Sequence, residues 1–336
     1  MLMTQMKVSQ NMKARIIAEL CQNHNGDVDL LENMIQLAKD SGATYAKIQG
    51  LYSDELVFRK EFETTSSEDA NNLFFHRPFE REQKRLRGLD LTPETERWFV
   101  KKCVKSEIIP MITVFSHAGV NRAFNAGFKS IKIASYDCSS LSLIRRCAEF
   151  AEELVISTGA TYWGEITQTS DYLRTIQDKV TITLMHATTL YPTPLESVNM
   201  KKLLLLKSLG FNIGFSDHTN IDTTDLLASK TALVLGASLI ERHFTALEKK
   251  ETRDGVVSLN PSELQRLSDI IELHRHFDKN KEFDESTMKE ISSLLSQELE
   301  TDLSPEEIRN RNYYRGRVAS FSGNQQVFAW EAWPSE

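Results

Sequence analysis

Eight short runs rich in apolar and β-branched residues recur along the chain, and each is followed by a stretch of helical period. The runs are "RIIAEL" (15–20), "TYAKIQ" (44–49), "IIPMITVF" (108–115), "SIKIAS" (130–135), "ELVIST" (153–158), "TITLMHA" (181–187), "NIGFSD" (212–217) and "SLIERHF" (238–244). In the first helical stretch Leu31, Met34, Ile35 and Ala38 share a face, Asp27 supplies a cap and Gly42 follows the end. Another opens at Thr92 with Pro93 in the first helical position. A third follows Ser262 and carries Leu264, Leu267, Ile270 and Ile271 on one face. Eight βα units, with no Rossmann-type glycine fingerprint after the first strand, predict an α/β fold. That fold is a closed (β/α)8 TIM barrel rather than an open doubly wound sheet.

The expected organisation is an N-terminal tail (1–14), a barrel (15–278) and a short C-terminal extension (279–336). Residues 50–91 form a long loop between the second strand and the second helix, mixing Tyr52, Phe58, Phe62, Phe74, Phe75 and Phe79 with charges of both signs. A loop of that length at the catalytic end of a barrel reads as a lid or a subunit contact. The C-terminal extension is helical and charged at first. It then breaks into short β-like pieces, "NYYRGRVASFSGNQQVFAWEAW", too short for a full core of their own.

Composition excludes several roles. The net charge of −7 and pI of about 5.7 argue against nucleic acid or a membrane surface as partner. No apolar run reaches the ~20 residues that span a bilayer, and the N-terminal residues lack the apolar core of a secretory signal. Cys21, Cys103, Cys138 and Cys147 form no CxxC pair, which fits a reducing, cytoplasmic setting.

In a barrel the chemistry gathers at the carboxyl ends of the strands. Those ends carry Glu19, Lys47 and Gln49, Thr113, Lys132 and Ser135, Ser157 and Thr158, His186, Ser216 to His218, then Glu241 and His243. Lys47 and Lys132, with hydroxyls from Thr113, Ser135, Ser157 and Ser216, make a nest for an anion with several oxygens; phosphate plus carboxylate fits. His218 and His243 end adjacent strands and could share one divalent metal. Two protein ligands, neither a thiolate, leave positions for water and substrate. Glu19, across the mouth, could act as general base or hold a substrate hydroxyl. Taken singly, each has a plainer reading. A strand-end histidine is commonly a turn residue, Ser and Thr cap helices, Tyr191 in "YPTP" packs, and His24 in "NHNG" steadies a turn that Gly26 completes. Their coincidence at one face points to an anion-plus-metal enzyme.

The strings "IIAELCQNHNGD" (16–27), "AKIQ" (46–49), "IKIAS" (131–135), "ISTGA" (156–160), "HATTLYPTP" (186–194), "GFSDHT" (214–219), "GASLIERHFT" (236–245) and "DGVVSLNPSEL" (254–264) resemble, in order and spacing, those of the sialic acid synthases. The resemblance implies condensation of phosphoenolpyruvate with an N-acylated hexosamine, N-acetylmannosamine-like or a diacetamido-trideoxy relative. The products would be a nonulosonic acid and phosphate, with Mn2+ or Mg2+ required and a homodimer expected. It implies phosphoenolpyruvate contacts at Lys47, Thr113, Lys132, Ser135, Ser157, Thr189 and Ser216, with Thr189 standing where the family has an asparagine. Sugar contacts fall on Glu19, Gln49, Tyr191 and Asp254, metal ligands on His218 and His243, and catalytic roles on Glu19, Lys47, Lys132 and His218. Asp217 would orient His218. Position 21, usually glycine in the family, is Cys21. Members typically end in an antifreeze-like domain that brings an arginine to a neighbour's sugar site. "RNRNYYRGRVASF" (309–321) resembles the approach to that domain, so either the clamp is missing, or Arg315 or Arg317 partly replaces it, or a separate protein supplies it. Two other readings of the same residues are a metal-dependent sugar isomerase or hydrolase, and a non-catalytic sugar-binding relative.

Overall fold

The computed structural model describes residues 14–63, 74–276 and 283–334. The expected tail and the expected boundary near 278 therefore lie outside the described residues, all but Ala14. Eight parallel strands close on themselves: β1 (Arg15–Cys21), β2 (Tyr45–Gly50), β3 (Ile109–Val114), β4 (Ser130–Ile133), β5 (Glu153–Ser157), β6 (Thr181–Ala187), β7 (Asn212–Ser216) and β8 (Leu239–Phe244). Each pairs with the next, and β8 pairs back onto β1, with Glu19 level with His243. All eight predicted strands are present. A ninth, β9 (Ser258–Leu259), adds to β8 beside His243 and was too short to signal itself.

The outer layer is built by α1 (Val28–Asp40), α2 (Phe79–Arg87), α3 (Pro93–Lys105), α4 (His117–Ala126), α5 (Leu141–Ala148), α6 (Trp163–Arg174), α7 (Lys201–Ser208), α8 (Ile221–Thr224), α9 (Leu227–Val234) and α10 (Pro261–His276). In α1, Asp27 accepts from the Asp29 and Leu30 amides, and the buried stripe is Leu31, Met34, Ile35 and Ala38, as the periodicity requires. Thr92 caps α3 ahead of Pro93. Helix α10 starts two residues earlier than expected, because Asn260 rather than Ser262 receives the Glu263 amide. Helix α2 lies inside the stretch read as loop. Its sequence, FEREQKRLR, buries Leu86 and the stem of Glu82 and has no side-chain cap, so apolar period gave no sign of it.

Alternation sorts the strand residues into two cores. Ile16, Ala18, Ile48, Ile112, Ile131, Leu154, Leu184, Phe215 and Ile240 face the helices. Ile17, Tyr45, Met111, Val155, Met185 and Leu239 fill the barrel axis as a separate layer. Two residues further along those same six strands stand Glu19, Lys47, Thr113, Ser157, Ala187 and Glu241. Because side chains repeat every second residue, one step carries the axis from hydrocarbon to charge. The site floor is that step.

The C-terminal segment packs on the barrel: α11 (Glu285–Ser296) places Ile291 and Leu294 in the outer core. Helix α12 (Pro305–Tyr314), capped by Ser304 in a reciprocal capping box with Glu307, crosses the mouth. Strands β10 (Ser320–Ser322) and β11 (Gln325–Val327) form a small hairpin. Val318 bridges to Leu56 in the second connection, so the two irregular segments hold each other. Among the described residues no helix is long and apolar enough to cross a membrane.

Candidate active site

A cavity of about 490 Å3 opens at the carboxyl ends of the strands, within the ~300–1,000 Å3 range of small-molecule sites. Its wall includes Glu19, Lys47, Gln49, Thr113, Lys132, Ser135, Ser157, Tyr191, Ser216, His218, His243 and Asp254, every sequence-predicted site residue but one. Thr189 is the exception. It is buried behind the wall, where its carbonyl accepts from Asn310 Nδ2 at 2.7 Å. Two other polar strand ends also turn away. His186 faces outward against Phe215, with Nε2 2.8 Å from the Val198 carbonyl, and Thr158 Oγ1 donates to the Met185 carbonyl.

The floor is a buried charge network. Lys47 pairs with Glu19, lies 3.6 Å from Glu241 Oε2 and donates to Thr113 Oγ1 at 3.0 Å. Lys132 Nζ is 2.6 Å from Glu241 Oε1, which also accepts from Ser216 Oγ at 3.0 Å. Two lysines and a serine expected to greet an anion thus converge on a carboxylate of the chain itself. Burial alone would lift Glu241, yet Lys132 and Lys47 hold its carboxyl well below the usual range. Burial works against the Lys47 ammonium, but Glu19 and Glu241 raise it. Lys132 is lowered, because burial and the repulsion of Lys47 outweigh its share of Glu241. Ser135 and Ser157 hydroxyls bond each other at 2.8 Å beside Lys132.

Glu241, named among the strand ends in the sequence, was given no role there. The signal was available, since Leu239, Glu241 and His243 alternate along β8 and must share the inward face.

Above the floor, His218 and His243 have ring centres 5.5 Å apart, a span one ion can bridge at a metal–nitrogen distance of ~2 Å. His218 Nδ1 faces the Thr188 carbonyl at 2.9 Å and so carries the hydrogen, leaving Nε2, 3.2 Å from Ser216 Oγ, with its lone pair toward the cavity. Burial, then the neighbouring His243, lowers His218 to about 3, so the ring is neutral at physiological pH. His243 Nδ1 is buried without a hydrogen-bond partner. This donor set fits a divalent cation. Tyr191 lies over His218 with ring centres 4.3 Å apart.

Asp217 does not orient His218, contrary to expectation. It points to the helix side, where it pairs with Arg242 at 2.8 Å and accepts from Thr219 and Ser229. Alternation explains the error: Ser216 faces in, so Asp217 faces out.

The thiol at Cys21 also enters the site. A register shift between Glu19 and Cys21 ends β1. Cys21 sits at φ 48°, in the left-handed region, where glycine is free of strain. Its Sγ donates to Asp254 Oδ2 at 3.0 Å and is 3.1 Å from Gln49 Nε2. Asp254 is fixed through Asn23, whose amide reaches both the Phe244 carbonyl and Ser258 Oγ, while Ser258 donates to the Asp254 carbonyl. His24 Nδ1 accepts from the Gly26 amide at 3.0 Å, the turn role expected of it.

The rim comes from the two irregular segments. Phe75, Arg77 and Arg85 enter from the second connection, and Arg309, Asn310, Tyr314 and Arg317 from the C-terminal segment. Tyr314 stacks on Tyr136 at 4.9 Å and accepts from Arg77 Nη1 at 3.1 Å. Arg317 lies over Tyr314. Arg315 instead donates to the Tyr136 carbonyl at 2.7 Å and does not line the cavity. Of the two arginines singled out in the sequence, Arg317 is at the site.

The NeuB family profile matches residues 34–283. An N,N'-diacetyllegionaminic acid synthase of Campylobacter jejuni is 30% identical over 76% of this chain and 74% of its own. The human N-acetylneuraminate-9-phosphate synthase is 26% identical over 75% of this chain and 67% of its own. Among solved structures, an N-acetylneuraminic acid synthetase from Leptospira borgpetersenii in complex with citrate superposes with a TM-score of 0.66. It is 25% identical, covering 88% of this chain and 95% of that one. With barrel, strand-end residues and relatives in agreement, the chain belongs to the NeuB family, the sialic acid synthases.

Proposed function

We propose that the protein condenses phosphoenolpyruvate with an N-acylated hexosamine, N-acetylmannosamine-like or diacetamido-trideoxy, giving a nonulosonic acid and phosphate. The observation that carries the reading is the floor network: two buried lysines and a serine share one carboxylate, and an entering phosphate can compete for them. In this reading the phosphate takes Lys132, with Ser135, Ser157 and Ser216 donating around it. Lys47, raised and tied to Glu19, stays charged and neutralises the carboxylate of phosphoenolpyruvate. Glu19 and Gln49, hydrogen-bonded at 2.9 Å, sit on the sugar side with Tyr191 and Asp254.

The residues then divide the chemistry. C3 of phosphoenolpyruvate attacks the open-chain sugar aldehyde; Glu19, beside Lys47, takes the proton of the water that adds at C2. Collapse of the hemiketal phosphate breaks the C–O bond, and Lys132 and Lys47 stabilise the charge on the departing phosphate. His218 and His243 would hold a divalent ion, which would supply Lewis-acid polarisation of the aldehyde oxygen. Four free cysteines and the substrate class suit a cytoplasmic protein, and a homodimer is part of the reading.

The test is direct. Full-length protein with phosphoenolpyruvate, Mn2+ and a panel of N-acylated hexosamines should release phosphate and a 2-keto acid in equal amounts. Release of neither across the panel, or turnover of sugar without phosphoenolpyruvate, rejects the reading. Histidine-to-alanine replacement at position 218 or 243 should abolish metal-dependent phosphate release.

A further inference from the structure

The metal reading so far uses only the two histidines. The structure offers His243 two further partners. Cys21 Sγ, a His243 ring nitrogen and an Asp254 carboxylate oxygen all lie within 4.8 Å of one another. His243 is 5% exposed and its Nδ1, 3.6 Å from Asp254 Oδ2, has no hydrogen-bond partner, so a buried lone pair or N–H is aimed into this group. Cys21 is equally buried and holds a left-handed backbone where glycine would be unstrained. Non-glycine residues kept in such a conformation are strained and gather at functional sites.

We propose that Cys21 and Asp254 join His243 as ligands of a divalent ion at the barrel mouth. Here the ion takes the place of the thiol proton now directed at Asp254 Oδ2; that proton leaves to solvent as the thiolate binds. A set of one thiolate, imidazole and one carboxylate is softer than a histidine pair alone and selects Zn2+ or Co2+ over Mn2+ or Mg2+. The donor set leaves Asp254 Oδ1 for the sugar. The inference rests on the synthase reading for what the ion does, but not for whether the thiol binds it.

Titration of the metal-stripped full chain with Co2+ tests the ligand set without substrate. The expected result is a near-ultraviolet sulfur-to-cobalt charge-transfer band, lost in Cys21→Ser and Cys21→Gly and kept in Cys138→Ser. Zn2+ affinity should fall at least ~10-fold in Cys21→Ser and in Asp254→Asn. Cys21→Gly relieves the backbone strain, so a folded variant is available even if serine destabilises the turn. A wild-type cobalt spectrum without that band, or an unchanged band and Zn2+ affinity in Cys21→Ser, overturns the proposal. Phosphate release from phosphoenolpyruvate, measured separately, reports on the synthase reading: the band without phosphate release keeps the ligand set and loses that reading, and the reverse outcome does the opposite.

Discussion

Lys132 and Glu241 come from strands on opposite sides of the barrel, 109 positions apart in sequence, and meet at 2.6 Å over a hydrocarbon layer. Removing one partner of such a pair is asymmetric here. In Lys132→Ala, Glu241 keeps Lys47, so the protein should fold while phosphate release falls ~100- to 1,000-fold. In Glu241→Ala, Lys132 is left buried without a carboxylate. Stability should drop by ~3–5 kcal/mol and recover partly when inorganic phosphate is added, as read by thermal melting. No effect of phosphate on that variant would contradict the role of the nest. Single residues were legible where alternation fixes their direction, as for Lys47, Gln49, Lys132 and His243. They were misread where a chemical preference overrode it: Asp217 was assigned to its neighbour His218, although adjacent strand residues face opposite ways.

At the scale of elements, helices with a cap and an apolar stripe were readable to the residue, α1 above all. Helix α2 was not, because a helix held by arginine, glutamate and one buried leucine has no apolar period to read. Helix α3 carries a different cost. Burial pushes Glu96 up from its ordinary 4.5 to about 7, with Arg122 pulling the other way. The folded chain therefore binds a proton that the unfolded chain releases, and stability falls as pH rises from about 4.5 to about 7. Glu96→Gln should flatten the denaturant-derived stability curve across that window and be more stable than wild type at pH 8 by ~3 kcal/mol. The loop before β9 makes a second case. An added Cβ at Gly255 would lie 1.7 Å from the Lys249 carbonyl oxygen, so only glycine lets this turn close behind Asp254. Gly255→Ala should leave the circular dichroism unchanged yet lower kcat/KM ~100-fold through misplacement of Asp254.

For the whole molecule, the closed barrel was legible because eight strand signals survive even when individual boundaries slip. The cover over its mouth was legible only in part, through Arg317. Asn310 and Tyr314 reach the cavity through an amide–carbonyl bond and aromatic stacking, contacts between distant segments with no periodic trace in sequence. The floor network has a further consequence, for how the chain can fold. Lys132 emerges in β4, but its carboxylate arrives only with β8, the last barrel strand. A half-barrel would have to dry out an ammonium with no counter-charge, so assembly short of closure gains little and loses much. A fragment ending before residue 236 should stay unfolded in hydrogen exchange, and adding the missing segment in trans should restore protection. The buried charge of the floor would then be the latch that makes folding all-or-none.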